Sequence, residues 1–167
     1  MTRGARTAVT IAVLCVLLAV AAVWGWHATT KPLPGKVDSP ICVDTSVAAG
    51  DKVFPEQVTV SVYNAGDREG LAGRTMQLLT DAGFAEGKSG NAPDGKVSDV
   101  AIWTQEPDNP AVLLVASRLG PDVDIVDKPG QGAGVTVVVG DDFTDLVKGR
   151  RAITAAADSQ ICSPPVD

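Results

Sequence analysis

The sequence predicts an α/β fold, a two- or three-layer α/β sandwich of four to five strands and two main helices, preceded by one transmembrane helix. Three observations carry that expectation. An uncharged apolar run occupies residues 8–26. A β-branched run at residues 58–63 passes through Asn64-Ala65-Gly66 into apolar residues at helical spacing. An unbroken valine-rich run, Val135-Thr136-Val137-Val138-Val139, then has the look of a central strand buried on both faces.

The apolar run comes first. Its nineteen residues extend roughly 28 Å at a rise of ~1.5 Å each, enough to cross a bilayer core. Trp24 and Trp26 close the run where an interfacial aromatic belt belongs, and Lys31 follows. Arg3 and Arg6 precede it, so the positive-inside bias puts residues 1–7 in the cytoplasm and the rest outside. The competing reading is a cleaved signal peptide, for which Ala19-Val20-Ala21 offers a small-x-small site. That site lies inside the apolar run, which favours an uncleaved anchor. Cys15 follows Leu14 rather than a small residue, so it reads as an apolar membrane residue and not as a lipidated one.

Residues 27–57 carry Pro32, Pro34, Gly35, Pro40, Gly50 and Pro55, a density of breakers that predicts an extracytoplasmic linker. The domain proper is expected over residues 58–150. After the first strand, Asp67 is the expected helix cap. Leu71, Thr75, Leu78, Leu79 and Ala82 form one stripe, and Gly83 stops the helix with Phe84 folding back. Residues 84–99 hold at most a short edge strand. Residues 100–105 read as a strand. Asn109 caps, and Pro110 opens, a second helix that runs to Leu119 before Gly120-Pro121. A short strand at residues 123–126 and the valine strand follow. A turn and short helix are expected from Asp141, and residues 151–158 receive no assignment.

Composition limits what this domain can be. One ordinary domain with appendages fits in 167 residues. Hydrophobic residues at 45% and charged ones at 20% make it globular. Only 4% are aromatic, so the core must be built of Val, Leu and Ala. Setting aside Arg3 and Arg6 leaves 12 basic against 20 acidic residues, a charge of −8 that repels phosphate backbones. No nucleic-acid partner is expected.

Outside the cytoplasm cysteines tend to pair, and Cys42 and Cys162 bracket nearly the whole domain. A bridge would close a loop of about 120 residues, with a chain-entropy ceiling of ~5 kcal/mol, and staple residues 151–167 back onto the fold. The alternative is two separate free thiols.

The segments Val60-Ser61-Val62-Tyr63-Asn64-Ala65-Gly66, Gly70-Leu71-Ala72 and Ala82-Gly83-Phe84 resemble the LytR C-terminal domain family. The valine run ending in Gly140-Asp141-Asp142 is similar to that family's closing strand. The resemblance covers residues 58–145. It implies a cell-envelope role, because in many relatives the domain follows a LytR-CpsA-Psr catalytic domain that attaches glycopolymers to the wall. In 167 residues there is no room for that catalytic domain. The layout of anchor, linker and lone domain is similar to small actinobacterial membrane-anchored envelope integrity proteins of the Cei-like kind.

The catalytic inventory is short. His27, the one histidine, sits at the membrane boundary, so no Ser-His or Cys-His pair can assemble in the domain. No zinc-type spacing is present, and no metal or cofactor is expected. Asp141 and Asp142 end the valine strand, where they can act as acid and base, hold a metal, or cap a following helix; capping is the simpler reading.

The turn from Asn64 to Gly73 is the sharper candidate for ligand or partner contact, through Asn64, Gly66, Arg68 and Arg74. Backbone N–H groups converge there and could cradle an anion, whereas the spacing of Gly66, Gly70 and Gly73 is neither the dinucleotide nor the P-loop pattern. The plainer alternative is that these glycines allow close helix–sheet packing.

The leading expectation is therefore a non-catalytic, membrane-anchored interaction module. It would act as scaffold or regulator for membrane-bound LytR-CpsA-Psr-type wall transferases. The alternative is a domain that binds peptidoglycan or wall glycopolymer directly. Sparse aromatics count against it, since Trp103 and Tyr63 both lie in strands.

Overall fold

The computed structural model describes residues 3–30, 41–93 and 96–165. Side chains 3–8 and 27–30 lie outside that description, and with them the expectations for the side chains of Arg3, Arg6 and His27. Lys31 and the first part of the expected linker, residues 31–40, lie outside it too. The chain divides into two compact units, Met1–Asp38 and Ser39–Asp167.

The first unit holds helix α1 (Arg3–Thr30). Its stretch Val9–Trp26 is long and apolar enough to cross a membrane, a property that an anchor and a signal sequence share. Cys15 is a free, exposed thiol on it.

The second unit is built on a five-stranded mixed sheet. Its strands are β3 (Thr59–Asn64), β4 (Ala85–Asn91), β5 (Val100–Thr104), β6 (Asp124–Asp127) and β7 (Val135–Val139), in the order β4-β3-β7-β5-β6. β3 runs parallel to β4 and β7, β5 is antiparallel to β7, and β6 is parallel to β5. Alternation along the strands sends Val60, Val62, Val100, Ile102, Val137 and Val139 to one face, where they join Leu79, Leu114 and Val115 of the helices in one core. Helices α2 (Leu71–Asp81) and α3 (Pro110–Leu119) both pack on that face.

The opposite face carries Ser61, Trp103, Thr136 and Val138, all buried, and is covered by a loop rather than by helices. Two hydroxyls hold that loop down. Ser61 Oγ donates to Ala133 O (2.6 Å) and accepts from Ala133 N and Lys88 N (3.1 Å each). Thr136 Oγ1 accepts from Gln131 N and donates to Gln131 O, both at 2.7 Å. At Gly132, φ is +75° and an added Cβ would sit 2.6 Å from Tyr63 OH, so only glycine permits this approach. The valine strand is thus buried on both faces, as its sequence implies.

Helix α3 is enclosed on its outer side as well. Strands β1 (Val43–Val47) and β9 (Ser159–Ser163) form one antiparallel ladder; β2 (Lys52–Val53) and β8 (Ile153–Thr154) form another. Val53, Ile153, Ala155 and Ile161 from these ladders join the same core as α3. That is why α3 is apolar around most of its circumference. The architecture is α/β, two layers over α2 and three where the ladders cover α3.

Several expectations need correction. The linker expected to reach Gln57 ends sooner: residues 43–57 hold β1, β2 and a single 3-10 turn (Pro55–Gln57), all within the second unit. Gly50 falls in the turn between β1 and β2 and Pro55 opens the 3-10 turn, so these breakers separate the elements without preventing them. Residues 151–158, unassigned from sequence, contain β8. No helix follows Asp141; residues 141–150 form a turn and irregular chain. Asp67 does not cap α2. Gly70 stands at the N-cap with φ +75° and no side-chain hydrogen bond, because the turn before it is occupied by another group. Asn109 and Pro110 open α3 as predicted, with Asn109 Oδ1 accepting from Ala111 N at 3.0 Å.

Candidate functional site

The glycine turn between β3 and α2 is a closed knot. Asn64 Oδ1 accepts from Gly66 N (3.0 Å) and its Nδ2 donates to Arg68 O (2.7 Å), bending the chain back on itself. The N–H groups this bend gathers do point at an anion, and the anion belongs to the chain. Asp67 N reaches Asp141 Oδ1 and Oδ2 (2.9 and 3.0 Å), and Arg68 N reaches Asp141 Oδ1 (2.9 Å). Arg68 Nη1 then donates to the carbonyls of Asp141 (2.8 Å) and Phe143 (3.1 Å). Gly66 has no room for a side chain, since an added Cβ would lie 2.7 Å from Asp141 Cγ.

Asn64, Gly66 and Arg68 are therefore brought together, whereas Arg74 stands apart, exposed on α2. An external anion at the turn would have to displace Asp141. Helix–sheet packing explains none of the three glycines: an added Cβ at Gly70 or Gly73 meets nothing within 4 Å, and the neighbour that excludes one at Gly66 is Asp141. The N–H bonds from Asp67 and then Arg68, with the Arg68 and Lys96 charges beyond them, hold the Asp141 carboxyl below its ordinary pKa, against a smaller opposing effect of desolvation. Asp142 does not pair with it; the Asp142 backbone N–H donates to Ser98 O at 2.8 Å. Among the described residues, no group of three or more His, Cys, Asp or Glu is placed to hold a metal.

Cys42 and Cys162 are joined, with Cα atoms 5.4 Å apart. The bridge lies at the open end of the β1–β9 ladder, on the rim of a cavity of about 610 Å³. This cavity was not legible in the sequence. It forms at the opposite end of the sheet from the glycine turn. There the starts of β3 and β7 and the end of β5 meet the start of α3 and strand β9. Thr59, Trp103, Glu106, Asn109 and Gln160 line it, together with Asp44 on the rim strand. Asn109 organises this corner, donating through Nδ2 to Glu106 Oε2 and Gln160 O, both at 2.9 Å. Trp103 is 4% exposed, and Lys128 Nζ stands 3.8 Å from its ring centroid. The lining comes from segments around residues 44, 59, 103–109 and 160, so no local motif announces it.

The family model described as LytR cell envelope-related transcriptional attenuator matches residues 57–143, from the start of β3 through the Asp141 turn. No curated protein matches the chain. Two solved structures are similar to it. One is the soluble domain of a conserved hypothetical secreted protein from Mycobacterium marinum, an Rv2700 ortholog. It is 24% identical with a TM-score of 0.48, over 60% of this chain and 78% of that one. The other is the C-terminal domain of RV0431, 29% identical with a TM-score of 0.34, over 66% of this chain and 98% of that one.

Proposed function

The chain belongs to the LytR C-terminal family, and from that premise we propose that it works as a non-catalytic interaction module tethered to the outer face of the cell membrane. The family is one of envelope-associated, extracytoplasmic-type domains. The finer reading is a scaffold or regulator for membrane-bound enzymes that attach glycopolymers to the wall, in support of envelope integrity.

The observation that carries it is the apolar span Val9–Trp26 upstream of an envelope-family domain. Arg3 and Arg6 before that span favour an N-terminus in the cytoplasm. A tether of that kind raises the effective concentration of the domain toward partners in the same membrane, without any new contact. The closed glycine turn supports the same reading, since its N–H groups are already used by Asp141.

The test replaces residues 1–26 with a cleavable signal peptide and compares the released domain with the anchored chain at equal abundance. Loss of crosslinks to wall transferases and of envelope integrity in the released form is the expected result. Full rescue by the released domain would remove tethering from the mechanism. Crosslinks that recover wall fragments and no transferase would favour direct glycan binding instead.

A further inference from the structure

A hydroxyl buried without a hydrogen-bond partner is a cost that folded cores avoid, and where one persists beside a cavity it points to a ligand that completes it. Thr59 is such a residue. It is 0% exposed, its Oγ1 has no partner, and it lines the cavity at the foot of the sheet. On the same face Ser61 and Thr136 are both engaged with the covering loop, which leaves Thr59 as the hydroxyl there without a partner among the described residues.

The charge of the cavity narrows the ligand. Glu106 and Asp44 contribute carboxylates, and among the described residues no Lys or Arg lines the wall, Lys128 being held over the Trp103 ring. The start of α3 also faces this corner, and an uncapped helix N-terminus would add about half a positive charge. Here Asn109 caps that end, and two carboxylates outweigh the remainder. Phosphate or carboxylate ligands are disfavoured on that ground, and a cation is favoured. A bare metal ion is not favoured, since among the described residues no group of three or more His, Cys, Asp or Glu is placed to hold one. The Asn109 amide is already spent on Glu106, Gln160 O and Ala111 N, so the side-chain amide of Gln160 and the hydroxyl of Thr59 supply the hydrogen-bonding capacity suited to a polyol. The volume, about 610 Å³, lies within the ~300–1,000 Å³ range of small-molecule sites.

We propose that this cavity binds a hydroxyl-rich ligand bearing a primary ammonium group, of amino-sugar type, with Thr59 and Glu106 as its main contacts. The ammonium meets the Glu106 carboxylate, with Asp44 adding negative charge at the rim, and a sugar hydroxyl bonds Thr59 Oγ1 after a small shift of the covering loop. The site is independent of the tethering reading, because it needs neither the anchor nor a protein partner.

The test uses the full-length oxidised chain in detergent micelles and isothermal titration calorimetry. Three probes separate the chemistry: the fully deacetylated glucosamine trimer, maltotriose (hydroxyls without charge) and trilysine (charge without hydroxyls). The glucosamine trimer is expected to bind saturably, at least tenfold tighter than either of the others. Thr59→Val is near-isosteric and removes a hydroxyl that has no partner, so it should leave the thermal midpoint unchanged or raised while weakening the trimer fivefold or more. Glu106→Gln keeps an acceptor for Asn109 yet removes the charge, and should weaken binding by a similar factor. No saturable binding of the trimer, trilysine binding as tightly, or unchanged affinity in both variants would each overturn the proposal.

Discussion

Asp141 ends the valine strand, and its carboxylate fills the nest of N–H groups that Asp67 and Arg68 present. The depressed pKa makes this contact a pH-dependent contribution to stability. The two N–H bonds, Asp67's first, favour the charged form in the folded state, and the ordinary value is 3.8. A carboxyl whose folded pKa lies below its unfolded one binds fewer protons when folded. Its stabilisation is complete above the unfolded pKa and is lost as pH falls through the folded one. Asp141→Asn should therefore lower the thermal midpoint at neutral pH, and the gap to the native chain should close as pH drops below about 3.8. Thermal melts of both chains from pH 7 to pH 2.5 check this. A gap constant across that range would mean that the carboxylate matters only for shape. The sequence placed Asp141 at the correct end of a strand but assigned it, as its simpler role, to capping a following helix that does not form. What it could not supply was the identity of the capped element, a turn some seventy residues earlier in the chain.

At the scale of elements, legibility followed the range of the interactions. Helix α3 was readable because Asn109 and Pro110 act within one turn of themselves. The ladders were not, because a two-residue strand such as β2 carries no periodicity, and its partner β8 lies about a hundred residues away. The Cys42–Cys162 bridge ties the ends of the β1–β9 ladder across a sequence separation of 120. In the chain-entropy account the bridge acts mainly on the unfolded chain, so the ladder can persist in its absence. Replacing both cysteines by serine should lower stability by about 2–4 kcal/mol and leave the sheet register intact. Amide exchange should quicken first in β1 and β9. Denaturant melts with and without reductant measure the loss, and native-chain curves that coincide under the two conditions would show that the bridge constrains nothing.

For the molecule as a whole, the question is where the folding unit begins and ends. The expected domain of residues 58–150 and the family match to residues 57–143 both stop short of β8 and β9 and start after β1 and β2. The compact unit is Ser39–Asp167. The difference is energetic as well as descriptive, since the outer side of α3 is covered by Val53, Ile153, Ala155 and Ile161, all at most 6% exposed. Burying a large aliphatic side chain is worth ~1.5–3 kcal/mol. The three larger residues together thus contribute about 5–9 kcal/mol as an upper estimate. A domain of this size has only ~5–15 kcal/mol of net stability, so removing the ladders consumes most of it. A chain of residues 39–167 should therefore give a dispersed amide spectrum and one cooperative melt. A chain of residues 58–150, with the helix–sheet core otherwise complete, should lack cooperative unfolding and expose apolar surface to a hydrophobic dye. Equal melting midpoints for the two would show that water satisfies the outer face of α3 as well as the ladders do. The unit that folds would then be the segment the family shares, with the ladders as additions to it.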